Sequence, residues 1–310
     1  MTGTYARRVP GKAADIANLA LIIDPMSLRQ PALAKVLTLA IRLDAAVGLL
    51  TFDSIQLREL RLATEAPGRS QAPPSASLQV WLNHFSIPLR ARGIDVITRV
   101  LNGDPPHDSL LRWLQQSNVG LVLKDISHQA SPEHALLTDT DRHLVRSCSM
   151  PLLLSRPRQW RDSPVVVAAV DPLHGSDPNA LLDHEIMAYA TLLARRLNGT
   201  LYAFHALVGA STAVTGTPLP NDGHAVEEHR RRWALTAFIR RYALANQHLQ
   251  VTTGLPEVHL PRFAMEHHAD IVVMGALARG RVAAIGSTAK RALQSLPCDV
   301  LLIKSPLASR

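Results

Sequence analysis

Apolar residues in this chain gather in short, near-continuous runs rather than in strict alternation. Residues 17–23, 47–52, 164–170, 200–207 and 271–274 are such runs, each of strand length. Strands covered on both faces have this pattern, because neither side of the sheet meets water. Helices are predicted over about 31–45 and 179–197. A further helix carries Leu235, Phe238, Ile239 and Tyr242 on one face, and another starts at Gly286-Ser287-Thr288 with Ala289, Ala292, Leu293 and Leu296 on its apolar side.

The order of elements repeats. The first strand of each half ends in Asp-Pro, at Asp24-Pro25 and Asp171-Pro172, and is followed by a helix and a second strand. The segment from Gly103 to Lys124 lies over the segment from Gly254 to Gly275 without a gap, each reading Gly-x-Pro, helix, strand. Each half then closes with a cysteine before an apolar strand, Cys148 ahead of residues 151–154 and Cys298 ahead of residues 300–303. Two copies of one unit are expected, as domains 1–157 and 158–310, with the boundary in the polar, proline-bearing stretch 155–164. Alternating strands and helices call for an α/β fold: two tandem five-stranded parallel-sheet sandwiches with helices on both faces. Two low-complexity stretches, 64–77 and 209–223, are expected to be mobile surface loops after the second strand of each unit.

Composition narrows the class. The chain has 310 residues and 47% hydrophobic content, enough for a core in each of two domains. Its apolar runs are too short to span a bilayer, and the basic Arg7-Arg8 leads to no signal-type apolar core, so a cytoplasmic protein is expected. Two cysteines without a CxxC fit free thiols in a reducing compartment. A net charge of +8 invites a nucleic-acid partner, yet the arginine clusters lie on the polar faces of helices and aromatics make up 4% of the chain, leaving little for bases to stack on. Solvated helix faces are the expectation, and neither nucleic acid nor membrane is expected as a partner.

The chemistry concentrates at Asp270-Ile-Val-Val-Met-Gly275 and the residues that follow it to Lys290. Strand, glycine loop and helix start, in that order, bring backbone N–H groups and a positive dipole end to an anion. The same residues also read as a strand end and an ordinary N-cap. In the first unit the corresponding stretch has no glycine, and its helix start carries Asp139 and Asp141. These suit capping and would repel phosphate, so no nucleotide is expected there. Of fourteen histidines, His267 and His268 are adjacent and point to different sides of a helix, while His128, His134 and His143 surround the glycine-free loop as secondary metal candidates. The spacing matches no zinc motif, and no metal is expected. His205, at the end of an apolar strand, is expected to be a hydrogen-bonded core residue. Ser287 lacks a base, the cysteines lack a local partner, and no Gly-Lys-Ser/Thr ends a P-loop, so no catalytic residue is assigned.

The Asp ending the first strand, the Ala269-to-Gly275 strand, the Gly-Ser-Thr-Ala before a helix and the closing Cys-Asp-Val-Leu-Leu-Ile-Lys304 together resemble the universal stress protein family. The duplication resembles its tandem, E-type subgroup. The resemblance covers nearly the whole chain and implies the Rossmann-like, adenine nucleotide alpha hydrolase-like fold. It further implies a stress-response protein that works by binding ligand or partner, with slow ATP hydrolysis the one turnover left open. In nucleotide-binding members the motif is Gly-x-x-Gly, nine residues, then Gly-Ser or Gly-Thr, with an Asp after the first strand. Carried over, ATP or another adenine nucleotide would meet Asp171, Met274, Gly275, Arg279, Gly280, Gly286, Ser287 and Thr288. This chain departs in having Ala278 for the second glycine and a span to Gly286 two residues shorter. The alternative is a nucleotide-free scaffold, or a binder of another small molecule or metal. Pairing of single-domain members through their last strands implies an intramolecular pseudo-dimer through residues 152–154 and 300–303, with a homodimer and a protein partner left open.

Overall fold

The structure of the chain, a computed structural model, describes residues 16–25, 27, 29–52, 75–102, 106–126, 137–172, 180–207, 221–276 and 287–304. The first unit runs β1 (Asn18–Ile22), α1 (Ala32–Leu43), β2 (Ala46–Phe52), α2 (Ser75–Arg90), β3 (Val96–Leu101), α3 (Pro106–Gln116), β4 (Leu121–Asp125), α4 (Asp139–Ser147) and β5 (Leu152–Ser155). The second runs β6 (Val165–Ala169), α5 (Ala180–Arg196), β7 (Thr200–Leu207), α6 (Asn221–Arg240), β8 (Leu249–Thr253), α7 (Pro256–Glu266), β9 (Ile271–Gly275), α8 (Ser287–Ser295) and β10 (Asp299–Ile303). The low-complexity stretches fall mostly outside the described residues. α2 and α6 begin at Ser75 and Asn221, inside the ends expected for those loops.

The strands of each unit are parallel, as the alternation requires. The two sheets do not stand apart, however. They join into one ten-stranded sheet in the order β3-β2-β1-β4-β5-β10-β9-β6-β7-β8. The joint is the implied one: β5 and β10 pair antiparallel, with Leu154 opposite Val300 and Leu152 opposite Leu302. All strands of one unit therefore run against those of the other. A first apolar layer, which includes Leu21, Leu39, Leu123, Tyr189 and Ile271, covers one face of the whole sheet. A second, with Ile22, Leu144, Phe204, Val272 and Leu302, covers the other. Both layers cross the joint, so the two units share a core.

The repeat is real, but its register differs by one residue from the gapless overlay. Pro106 and Pro256 both open a helix, Asn118 and His268 both take a left-handed backbone, and β4 and β9 both start three residues later. Asp125, not Lys124, is therefore the counterpart of Gly275, and Lys124 that of Met274. The overlay anchored on Gly103 and Gly254 failed because glycine position is less constrained than the face on which a strand residue points. Packing between the units is conserved by exchange. A Cβ on Gly48 of β2 would lie 2.7 Å from the Trp113 ring of α3. At the matching places of β7 and α7 stand Tyr202 and Phe263, edge to face with centroids 5.9 Å apart. The second unit adds a ring on the strand and carries a smaller ring on the helix, so the contact is kept but not the volume.

Candidate ligand site

In the second unit the strand order reverses between β6 and β9, where Val166 pairs with Ile271 and Ala168 with Val273. Connections leave these two strands in opposite directions, and in open α/β sheets it is at such a switch point, in the crevice outside the C-terminal strand ends, that ligands bind. Asp171 follows β6, Met274 and Gly275 end β9, and α8 begins at Ser287 and Thr288. Arg279, Gly280 and Gly286 lie outside the described residues, as do the side chains of Ser287 and Thr288. Asp171 is half-exposed at the mouth. Its backbone N–H donates to Asp183 Oδ1 at 2.7 Å, which fixes the strand end to the first turn of α5. Its carboxylate stands 3.7 Å from Nδ1 of buried His205, and that ring nitrogen also meets the Val170 carbonyl at 2.9 Å. His205 thus has a hydrogen-bonded place in the core. Met274 is buried. Gly275 does not need a positive φ; a Cβ there would come within 2.9 Å of the Leu182 side chain of α5.

The same position in the first unit is filled from within. Lys124 is buried and its ammonium lies 2.8 Å from Oδ1 of Asp141, which has no exposed side-chain surface. Asp141 is the third residue of α4 and closes a capping box. Its Oδ2 accepts from the Thr138 N–H at 2.8 Å, and its own N–H donates to Thr138 Oγ1 at 3.1 Å. A carboxylate of the chain itself therefore sits at the helix N-terminus, where an anion would otherwise be stabilised. Asp125 accepts from the Ala32 N–H at 2.9 Å, at the start of α1. Burial pushes its carboxyl up to about 6, against the pull of that bond and of Lys35. The counterparts in the second unit, Met274, Gly275 and Ala289, bear no charge. Asp141, like Asp139, was legible as a capping acid from its place at a helix start; its pairing with Lys124 was not, because a lysine closing an apolar run reads as the strand's wet end.

Other candidates separate. His143 lies on α4, while His128 and His134 fall outside the described residues. Among the described residues no group of three or more His, Cys, Asp or Glu is placed to hold a metal. Both cysteines are buried free thiols; burial and Asp299 push Cys298 up to about 12, and burial raises Cys148, so neither is poised as a nucleophile. Among the described residues no helix is long and apolar enough to cross a membrane.

Known proteins share this architecture. Residues 164–304 match the universal stress protein family. The chain is 25% identical to universal stress protein E of Escherichia coli K12 over 93% of each chain. It is 24% identical to the protein of that name in Photorhabdus laumondii, over 94% of this chain and 96% of that one. The crystal structure of a putative universal stress protein from Pseudomonas aeruginosa UCBPP-PA14 superimposes with a TM-score of 0.74 at 25% identity, covering 96% of this chain and 99% of the other. The resemblance drawn from the sequence motifs thus holds along nearly the full length.

Proposed function

We propose, from the match of residues 164–304 to the universal stress protein family, that the chain is a cytoplasmic stress-response protein acting through ligand and partner binding rather than turnover. Its ligand is ATP or another adenine nucleotide, held in the second unit alone. The observation that carries this reading is the contrast between two equivalent crevices. One is closed by the Lys124–Asp141 pair; the other has Met274 and Ala289 at those places, with glycine at 275. In the second unit the α8 N-terminus would face phosphate, and Asp171 the nucleoside end. The residues present fit a nucleotide in charge, since no acid among the described residues stands at the start of α8.

Native mass spectrometry of freshly purified protein checks the assignment, with one adenine nucleotide per chain expected. Met274→Lys with Ala289→Asp transplants the internal ion pair and should empty the site while thermal unfolding stays cooperative. Gly286→Val should empty it as well. Wild-type protein that stays empty at saturating ATP rules the nucleotide out. A second reading, a nucleotide-free scaffold or a binder of another small molecule or metal, draws on Ala278, an alanine at the sequence position where nucleotide-binding members have glycine.

A further inference from the structure

The joint between the units contains a connected set of buried polar groups that the repeat does not require. Lys35 of α1 is 1% exposed, and its ammonium spends its three N–H donors at the joint, reaching Asp299 of the other unit. It meets both carboxylate oxygens of Asp299 at 2.8 Å, Ser155 Oγ at 2.9 Å and the Arg156 carbonyl at 2.6 Å. Asp299, 2% exposed at the start of β10, accepts in addition from the Arg156 backbone N–H at 2.8 Å and from Trp160 Nε1 at 2.9 Å. The Arg156 guanidinium turns the other way and donates to the Leu293 carbonyl of α8 at 2.9 Å. An unbroken path therefore leads from α8, whose N-terminus borders the second unit's crevice, to α1 of the first unit.

The path is one-sided. Lys35 lies nine residues before left-handed Asp44, and nine residues before its counterpart Asn198 stands Tyr189. Asp299 directly precedes Val300, and the residue directly before Leu152, the counterpart of Val300, is Pro151. Neither charge recurs at the symmetry-related place, so the fold itself does not demand them. Because the pair is buried and saturated, a shift of α8 cannot be absorbed by exchanging a bond for water; it must move α1 or orphan a charge.

We propose that the Arg156–Asp299–Lys35 junction is a coupling element that transmits displacement of α8 in the second unit to α1 in the first. This coupling is independent of the ligand's identity. Hydrogen exchange on the full chain, without ligand, tests it. Leu293→Ala loosens α8 and should raise exchange at least fivefold in both α8 and α1, while α3, in the first unit but off the path, stays within twofold. In a Lys35→Met/Asp299→Asn background the same change should loosen α8 and leave α1 at its baseline. Arg156→Met, which removes only the link to Leu293, should uncouple the helices in the same way and serves if the double variant does not fold. A rise confined to α8 in the otherwise wild-type chain, one shared equally by α3, or one reaching α1 in both backgrounds overturns the proposal.

Discussion

Asp125 shows how one residue's environment sets a pH dependence. Its carboxyl is 8% exposed and raised from 3.8 to about 6, mainly by desolvation, despite the bond from Ala32. A raised acid binds its proton more tightly in the folded chain than in the unfolded one. Between about pH 4 and 6 the native state holds the extra proton, so stability is greatest below that window and falls as pH rises through it. A difference of about 2 in pKa corresponds to about 3 kcal/mol at neutral pH, an upper bound because the protein can relax around a charged carboxylate. Asp125→Asn keeps an oxygen for the Ala32 N–H and cannot ionise. It should stabilise the protein at pH 7 by about 1–3 kcal/mol and have little effect at pH 4. Urea unfolding at the two pH values checks this; equal effects at both would mean that the carboxyl titrates normally.

At the scale of elements, two glycines separate steric from conformational demand. Gly199 joins α5 to β7, and a Cβ there would fall 2.1 Å from the Pro164 carbonyl oxygen, which accepts from the Thr200 N–H at 2.9 Å at the start of the β6–β7 ladder. Gly93 has φ +76° and nothing within 4 Å of the same Cβ. Gly199→Ala must therefore displace backbone and should cost about 1–3 kcal/mol by overpacking. Gly93→Asn should be nearly neutral, since asparagine tolerates the left-handed region; chemical denaturation of the two variants orders them. Neither demand could be read from sequence, where both glycines merely follow a helix. What could be read were features local in the chain: the apolar runs of β1, β6 and β9, the Asp-Pro ends and the Asp141 cap. The repeat was legible in order and missed by one residue in register, because a gapless overlay ignores which face a strand residue points to. Lys35 and Asp299, 264 residues apart, could not be paired from sequence: Asp299 lies in the closing Cys-Asp-Val motif, but nothing near Lys35 marks it as a partner.

For the molecule as a whole, the question is whether two homologous units make one folding unit. In a simple duplication each would keep its own core and melt separately. Here both apolar layers cross the β5–β10 joint, and Asp270 anchors the segment that connects the units to the second of them. It accepts from Arg161 at 2.8 and 3.0 Å and from the Val165 N–H at 2.9 Å, which seats the connecting segment against β6 and β9. Separating the units would expose the β5 and β10 edges and leave Lys35 and Asp299 without each other. On separation both charges regain water, so the cost is chiefly the apolar surface of the shared layers, drawn from a typical domain stability of about 5–15 kcal/mol. The full chain should accordingly unfold in one transition, with tryptophan fluorescence and far-ultraviolet circular dichroism giving the same urea midpoint. Trp81 and Trp113 report on the first unit, Trp160 on the connecting segment and Trp233, 70% exposed, only weakly on the second unit, so a unit melting on its own would pull the two curves apart. Divergent midpoints would show that the shared layers and the buried ties do not bind the units into one cooperative whole.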